Sequence, residues 1–202
     1  ISTDGAIDLG VGANVIGGGI LFNGGPNTLT MTTTADDVRV NGPATLASAL
    51  AIDVQSGDNR IEFTRAATID SQTGEQNDLT LNAGSPGSAA AGTGGAFLYG
   101  NVGTGSAGDQ RLGNVAVDTS GQILVDPAVA DGVVRIAGDL TMDARGDIQI
   151  VSHAVAVDSC QVVAASITAE AGGEFIHDDG AVLKSATGAV SNAGPRLTVD
   201  PQ

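Results

Sequence analysis

Few residues in this chain combine the types and spacings that chemistry requires, and each has a plainer reading beside it. Cys160 lies in Val157-Asp158-Ser159-Cys160-Gln161-Val162, an apolar setting with no basic neighbour. A thiol becomes a nucleophile when a base or a positive field lowers its pKa. His153 is the nearest base, seven residues away, so Cys160 reads as a small buried or turn residue. His153 and His177 fall at different strand positions of successive repeats, and two lone histidines make a poor metal site. The sequence therefore points to no catalytic residue, no cofactor-binding residue and no metal ligand, and to a non-enzymatic chain.

Acidic turns at Asp36-Asp37, Asp58 and Asp178-Asp179-Gly180 could each offer oxygen ligands to calcium. The glycine-rich nonapeptide of calcium-binding β-rolls is missing, however, and solvated turn carboxylates are the simpler reading. Asp53, Glu62 and Arg39, expected outward on neighbouring coils, form a thin version of the carboxylate-and-arginine face with which β-helix enzymes cleave acidic polysaccharides. Eight Lys and Arg in the whole chain give that reading little support, and a shared fold does not supply an activity. Neither Gly17-Gly18-Gly19 nor the glycines of 92–95 run into Gly-Lys-Ser/Thr or open a helix, which leaves no phosphate loop.

The elements that carry these residues are constrained by composition. The 202 residues are 42% apolar, enough for a core, yet they include four Phe, one Tyr and no Trp. Ala, Val, Ile and Leu must therefore build something thin and repetitive rather than a globule packed around large aromatics. Thirty Gly and six Pro supply turns and argue against long helices. A formal net charge of −15 excludes the electrostatic footprint of a nucleic-acid binder and disfavours anionic membranes. No run of 18 apolar residues occurs, so no membrane insertion is expected. One cysteine cannot form an internal disulfide. Ile1 is not an initiator methionine, and the expectation is an excised piece of a longer exported protein whose signal peptide lies outside it.

A repeat organises the chain. Leu140 and Met142, the turn Asp143-Ala144-Arg145-Gly146-Asp147, then Ile148 and Ile150 form its clearest copy. Val115 and Val117 precede Asp118-Thr119-Ser120-Gly121-Gln122, Ile123 and Val125 in the same way; Ile167 and Ala169 precede Phe175 and His177. Earlier copies open at Ile7, Leu29, Ile52 and Leu79, and Leu197 with Val199 opens a last one. The copy at Leu79 swells into an insertion over 82–95 before Phe97 and Tyr99. Successive openings are separated by 22, 23, 27, 36, 25 and 27 residues.

Alternation of apolar residues on both sides of a turn predicts two β-strands per repeat, with a third short strand near Leu46, Ile69, Val129 and Val155. A sandwich or meander needs no such column to return, whereas stacked coils do, because no repeat can bury its apolar side alone. The expected fold is all-β: a parallel β-helix of about seven to eight coils, three short strands per coil, forming a single β-solenoid segment over 1–202. Leu98, Leu124 and Ile176 are expected at outward sites, as a small apolar strip suited to a partner.

Leu79-Thr80-Leu81-Asn82-Ala83-Gly84, Gly95-Ala96-Phe97-Leu98-Tyr99-Gly100-Asn101-Val102-Gly103 and Leu112-Gly113-Asn114-Val115-Ala116-Val117 resemble repeats of filamentous-haemagglutinin-like adhesins and related giant bacterial β-strand-repeat proteins, as does Gly180-Ala181-Val182-Leu183-Lys184-Ser185-Ala186-Thr187-Gly188-Ala189-Val190. The resemblance implies a right-handed parallel β-helix, export, an extracellular or cell-surface location, and adhesion or matrix building. It transfers no functional residues. The expected partners are a protein or carbohydrate surface, or further copies along the rod. The alternatives are a self-assembling fibre or surface-layer subunit and, third, a polysaccharide-active β-helix.

Overall fold

The computed structural model describes residues 1–10, 15–55, 58–84, 94–104, 110–127, 132–151, 160–177, 181–185, 190–192 and 197–199. Its strands wind as a parallel β-solenoid. The first face is an eight-stranded sheet of Ser2–Thr3, Leu29–Thr33, Leu50–Val54, Leu79–Ala83, Val115–Thr119, Asp139–Ala144, Ser166–Ala171 and Val190–Asn192. The second, also of eight strands, contains Ile7–Leu9, Val38–Val40, Arg60–Phe63, Gly95–Leu98, Gln122–Val125, Ile148–Ile150, Phe175–His177 and Leu197–Val199. On the third face Ile20–Phe22, Ala44–Leu46 and Ile69–Ser71 form one sheet, and Gly132–Arg135, Cys160–Ala164 and Ala181–Ser185 another. Between these two sheets Val102 makes isolated parallel bridges to Ile69 and Val134, and among the described residues that coil shows no third-face strand.

Short strands of alternating burial explain the winding. In Leu50–Val54 and Val115–Thr119 the first, third and fifth residues are buried and the others half-buried. A strand with one apolar side must find a neighbour to cover it, and the next coil, about 4.8 Å away, supplies an identical one. Leu50, Leu79, Val115, Leu140 and Ile167 stack in one inward column; Met31, Ile52, Leu81, Val117, Met142 and Ala169 stack in the next. The core encloses a void of about 10 Å³ lined only by aliphatic side chains and Met142, too small and too apolar to hold water.

Several expected registers shift. The column through Val115, Leu140 and Ile167 stands as expected, but Leu50, not Ile52, pairs with Leu29 and Leu79. Leu50, Ile52 and Val54 are all inward, and a two-residue slip leaves every side chain on its own face, so alternation cannot reveal it. Ile7 begins a second-face strand paired with Val38–Val40, and Ile20–Phe22 belongs to the third face. On the second face Ala96 and Leu98 point inward, stacked on Ile61 and Phe63, while Phe97 points outward between Glu62 and Leu124. Leu98 therefore belongs to the core rather than to an outward strip.

Strands also run further into the corners than expected: Thr119 ends one strand and Gln122 begins the next. Asn82, Ala83 and Gly95 of the expected insertion are strand residues, and the stretch 85–93 lies outside the described residues. Third-face strands form over Leu46 and Ile69, whereas Val129 and Val155 lie outside the described residues.

Polar side chains tie the corners. Asp78 Oδ1 accepts the Asn114 amide at 2.6 Å, Asn114 Oδ1 accepts the Asp139 amide at 3.0 Å, and Ser166 Oγ donates to Asp139 Oδ1 at 2.7 Å. Each rung joins one coil to the next along a solvent-exposed corner. Close packing at another corner leaves no room at Gly100, where a Cβ would sit on the carbonyl oxygen of Ala67.

Candidate functional site

The outward column of the second face runs Asp8, Arg39, Glu62, Phe97, Leu124, Gln149 and Ile176. Register alone brings Arg39 beside Glu62, residues 23 apart in sequence, and Arg39 Nε lies 3.6 Å from Glu62 Oε1. One position upstream of Ile61, Arg60 reaches the preceding coil, where its Nε lies 3.3 Å from Asp37 Oδ2 and its amide donates to Asp37 Oδ1 at 2.8 Å.

Just past the strands, at the corner, the amides of Asn41, Thr64, Tyr99 and Asp126 each donate to the coil before, which aligns these four residues in a second column. Thr64 Oγ1 donates to Asn41 Oδ1 at 2.7 Å, closing the floor. Tyr99 stacks on Phe97 with ring centroids 6.1 Å apart and planes 19° apart.

The two columns border an open groove of about 580 Å³ lined by Arg39, Asn41, Arg60, Glu62, Thr64, Arg65, Ala66 and Tyr99. Three of the chain's eight Lys and Arg residues are gathered here. A second recess of about 310 Å³ continues past Arg39 and Arg60 toward Asp8, Asp36 and Asp37. Burial, then the charges of Glu62 and Asp126, push the Tyr99 phenol above its ordinary value, and Arg60 and Arg65 oppose the rise. The phenol thus stays a hydrogen-bond donor at neutral pH.

The first face carries the opposite charge. Asp53, Asn82, Asp118, Asp143 and Glu170 stand in register on successive coils. Asp118, Asp143 and Glu170 line a recess of about 310 Å³ with Arg145. Burial and the neighbouring Asp143 charge raise the pKa of Asp118, and Arg145 works against both.

Among the expected residues, Arg39 and Glu62 come together, but Asp53 is on the first face, so the three do not form one cleavage site. Asp36 and Asp37 hold their own turn: Asp36 Oδ1 accepts the Asp37 amide at 2.9 Å, and Asp37 binds Arg60. Cys160 opens a third-face strand in register with Gly132 and Ala181, and the backbone of His177 occupies the register position of Ile150. His153 and Asp178-Asp179-Gly180 lie outside the described residues. Among the described residues no group of three His, Cys, Asp or Glu could hold a metal ion, and no helix is long and apolar enough to cross a membrane.

Arg60, Arg65 and Tyr99 were not singled out from the sequence. Arg60 reads there as the end of a turn and Tyr99 as an inward strand residue. The one available signal was the clustering of Arg39, Arg60 and Arg65 in a chain so poor in cations. Comparison with known proteins yields no matching family model, no matching curated protein and no matching solved structure. The assignment as a parallel β-helix repeat protein therefore rests on register and burial.

Proposed function

We propose that the chain is a non-catalytic, adhesive segment of an exported bacterial surface or matrix protein, related in kind to the filamentous-haemagglutinin-like adhesins. The observation that carries this reading is the pair of eight-stranded parallel sheets in continuous register. A stack of this kind spans roughly 34 Å at about 4.8 Å per coil, grows by adding coils, and displays outward side chains in straight rows. Solvated acidic columns keep it soluble at high net charge. Adhesion at an extracellular surface uses those properties without requiring any group to react.

Beads coated with the purified chain test the reading under flow over protein-coated and glycan-coated surfaces. Retention on a surface whose polymers remain intact is the expected result. Release of shortened polysaccharide would replace the reading with an enzymatic one, and failure to hold on any surface would remove it. Leu124, outward and half-buried beside Phe97, favours lateral self-association as the second reading, in which copies assemble into a fibre or surface layer.

A further inference from the structure

We infer that Asn23-Gly24 is a self-modification site held in check by Ser48, at which the Asn23 side-chain amide is lost as ammonia through a cyclic imide and replaced by aspartate or isoaspartate. Two Asn-Gly steps occur in the chain, Asn23-Gly24 and Asn41-Gly42. Glycine after asparagine leaves the following backbone nitrogen unshielded and free to approach the side chain. Local sequence treats the two steps alike, and the fold separates them.

Asn23 is exposed at the corner between the third-face strand Ile20–Phe22 and the first-face strand Leu29–Thr33. The Gly25 amide donates to Asn23 Oδ1 at 2.7 Å. That bond folds the side chain over the Gly24 peptide and places a donor on the oxygen where charge develops during attack. The Gly24 amide donates to Ser48 Oγ, one coil on, at 2.7 Å. Ser48 is buried, so this bond is a latch: the attacking nitrogen keeps its proton until the corner opens locally.

Asn41 is held from both sides. Its Nδ2 donates to the Gly10 carbonyl at 3.3 Å, and its Oδ1 accepts the Thr64 hydroxyl at 2.7 Å. At 4% exposure it is shut off from the solvent base that the reaction needs. Gly42 has no room to turn either, since a Cβ there would sit 2.7 Å from the Ile16 carbonyl oxygen.

Water is the one co-reactant. The Gly24 nitrogen gives its proton to solvent and bonds to Asn23 Cγ, and Oδ1 takes up the electron pair. The pair returns as the Cγ–Nδ2 bond breaks, and ammonia leaves with a proton from water. Water then opens the imide. Attack at Cγ gives aspartate on an unchanged backbone, whereas attack at the Asn23 main-chain carbonyl gives isoaspartate, with an extra backbone carbon at the corner between two coils. Either product adds a negative charge to a chain whose formal charge is already −15.

The test ages the purified chain at mildly alkaline pH, folded and in urea, and follows Asn23 and Asn41 by peptide mass spectrometry with fragmentation that tells isoaspartate from aspartate. In the folded chain the expected result is amide loss at Asn23, with isoaspartate in excess, and an intact Asn41 amide; in urea both sites react. Ser48→Ala should speed the Asn23 reaction about threefold or more, the worth of one hydrogen bond, with its melting transition recorded alongside. The inference is overturned if Asn23 keeps its amide in the folded chain, if Asn41 reacts there as fast as Asn23, if aspartate forms without isoaspartate, or if a folded Ser48→Ala reacts like wild type. Should Ser48→Ala fail to fold, the ratio of the two sites in the wild-type chain decides.

Discussion

Leu81 stacks between Ile52 on one coil and Val117 on the other and is fully buried. Leu81→Ala removes three carbon atoms whose burial contributes about 0.8 kcal/mol each, or roughly 2.4 kcal/mol in all. The neighbours cannot close the gap, since their backbones are fixed by hydrogen bonds to the coils on either side. A residual cavity of roughly 50 Å³ adds about 1.2 kcal/mol at about 24 cal/mol per Å³. The expected cost is therefore about 3 to 4 kcal/mol, read from the urea midpoint of equilibrium unfolding. Leu21, 63% exposed on the third face, is the control: Leu21→Ala should change stability by no more than about 0.5 kcal/mol. A lowered m-value in Leu81→Ala would show the stack parting at that coil, as nearest-neighbour coupling in solenoids allows. A loss below about 1 kcal/mol, or one equal to that of Leu21→Ala, would refute the stacking argument.

Gly100→Ala should cost about 3 kcal/mol or more, because the new methyl collides with the Ala67 backbone; Gly18→Ala, with open space around it, should melt like wild type. Asp118→Asn should raise the melting temperature at pH 7. The folded state holds the Asp118 proton more tightly than the unfolded chain, so ionisation penalises folding once the pH exceeds the ordinary carboxylate range. Below that range the penalty is gone and variant and wild type should melt together at pH 3; equal stabilisation at both pH values would contradict it. Leu124→Asp should leave the melting transition in place and weaken any self-association seen by sedimentation, since Leu124 is outward beside Phe97.

The repeat was legible because it is forced: a strand with one apolar side must recur to be buried. Val115, Leu140 and Ile167 carried that signal clearly, with turns of equal length between their strands. Leu50 did not, because its alternation extends through Ile52 and Val54 and period two is blind to a slip of two. The second face was misread at Phe97 and Tyr99 for a different reason. Large aromatics look like core, yet the inward sites there hold Ala96 and Leu98, and Phe97 instead braces the outer groove. Arg39 and Glu62 could be placed outward from alternation alone. Their meeting with Arg60, Arg65 and Tyr99 depends on inter-coil register and on a corner column, neither of which local spacing encodes.

Contacts between methyl groups test the stacked columns most directly. In the intact chain with Ile, Leu and Val methyls labelled, nuclear Overhauser effects should link Leu140 to Val115 and to Ile167, and Ile123 to Ile148. None should link Leu140 to Leu29, which is several coils away in the same column. Absence of both Leu140 contacts, or a strong one to Leu29, would contradict the solenoid and everything built upon it.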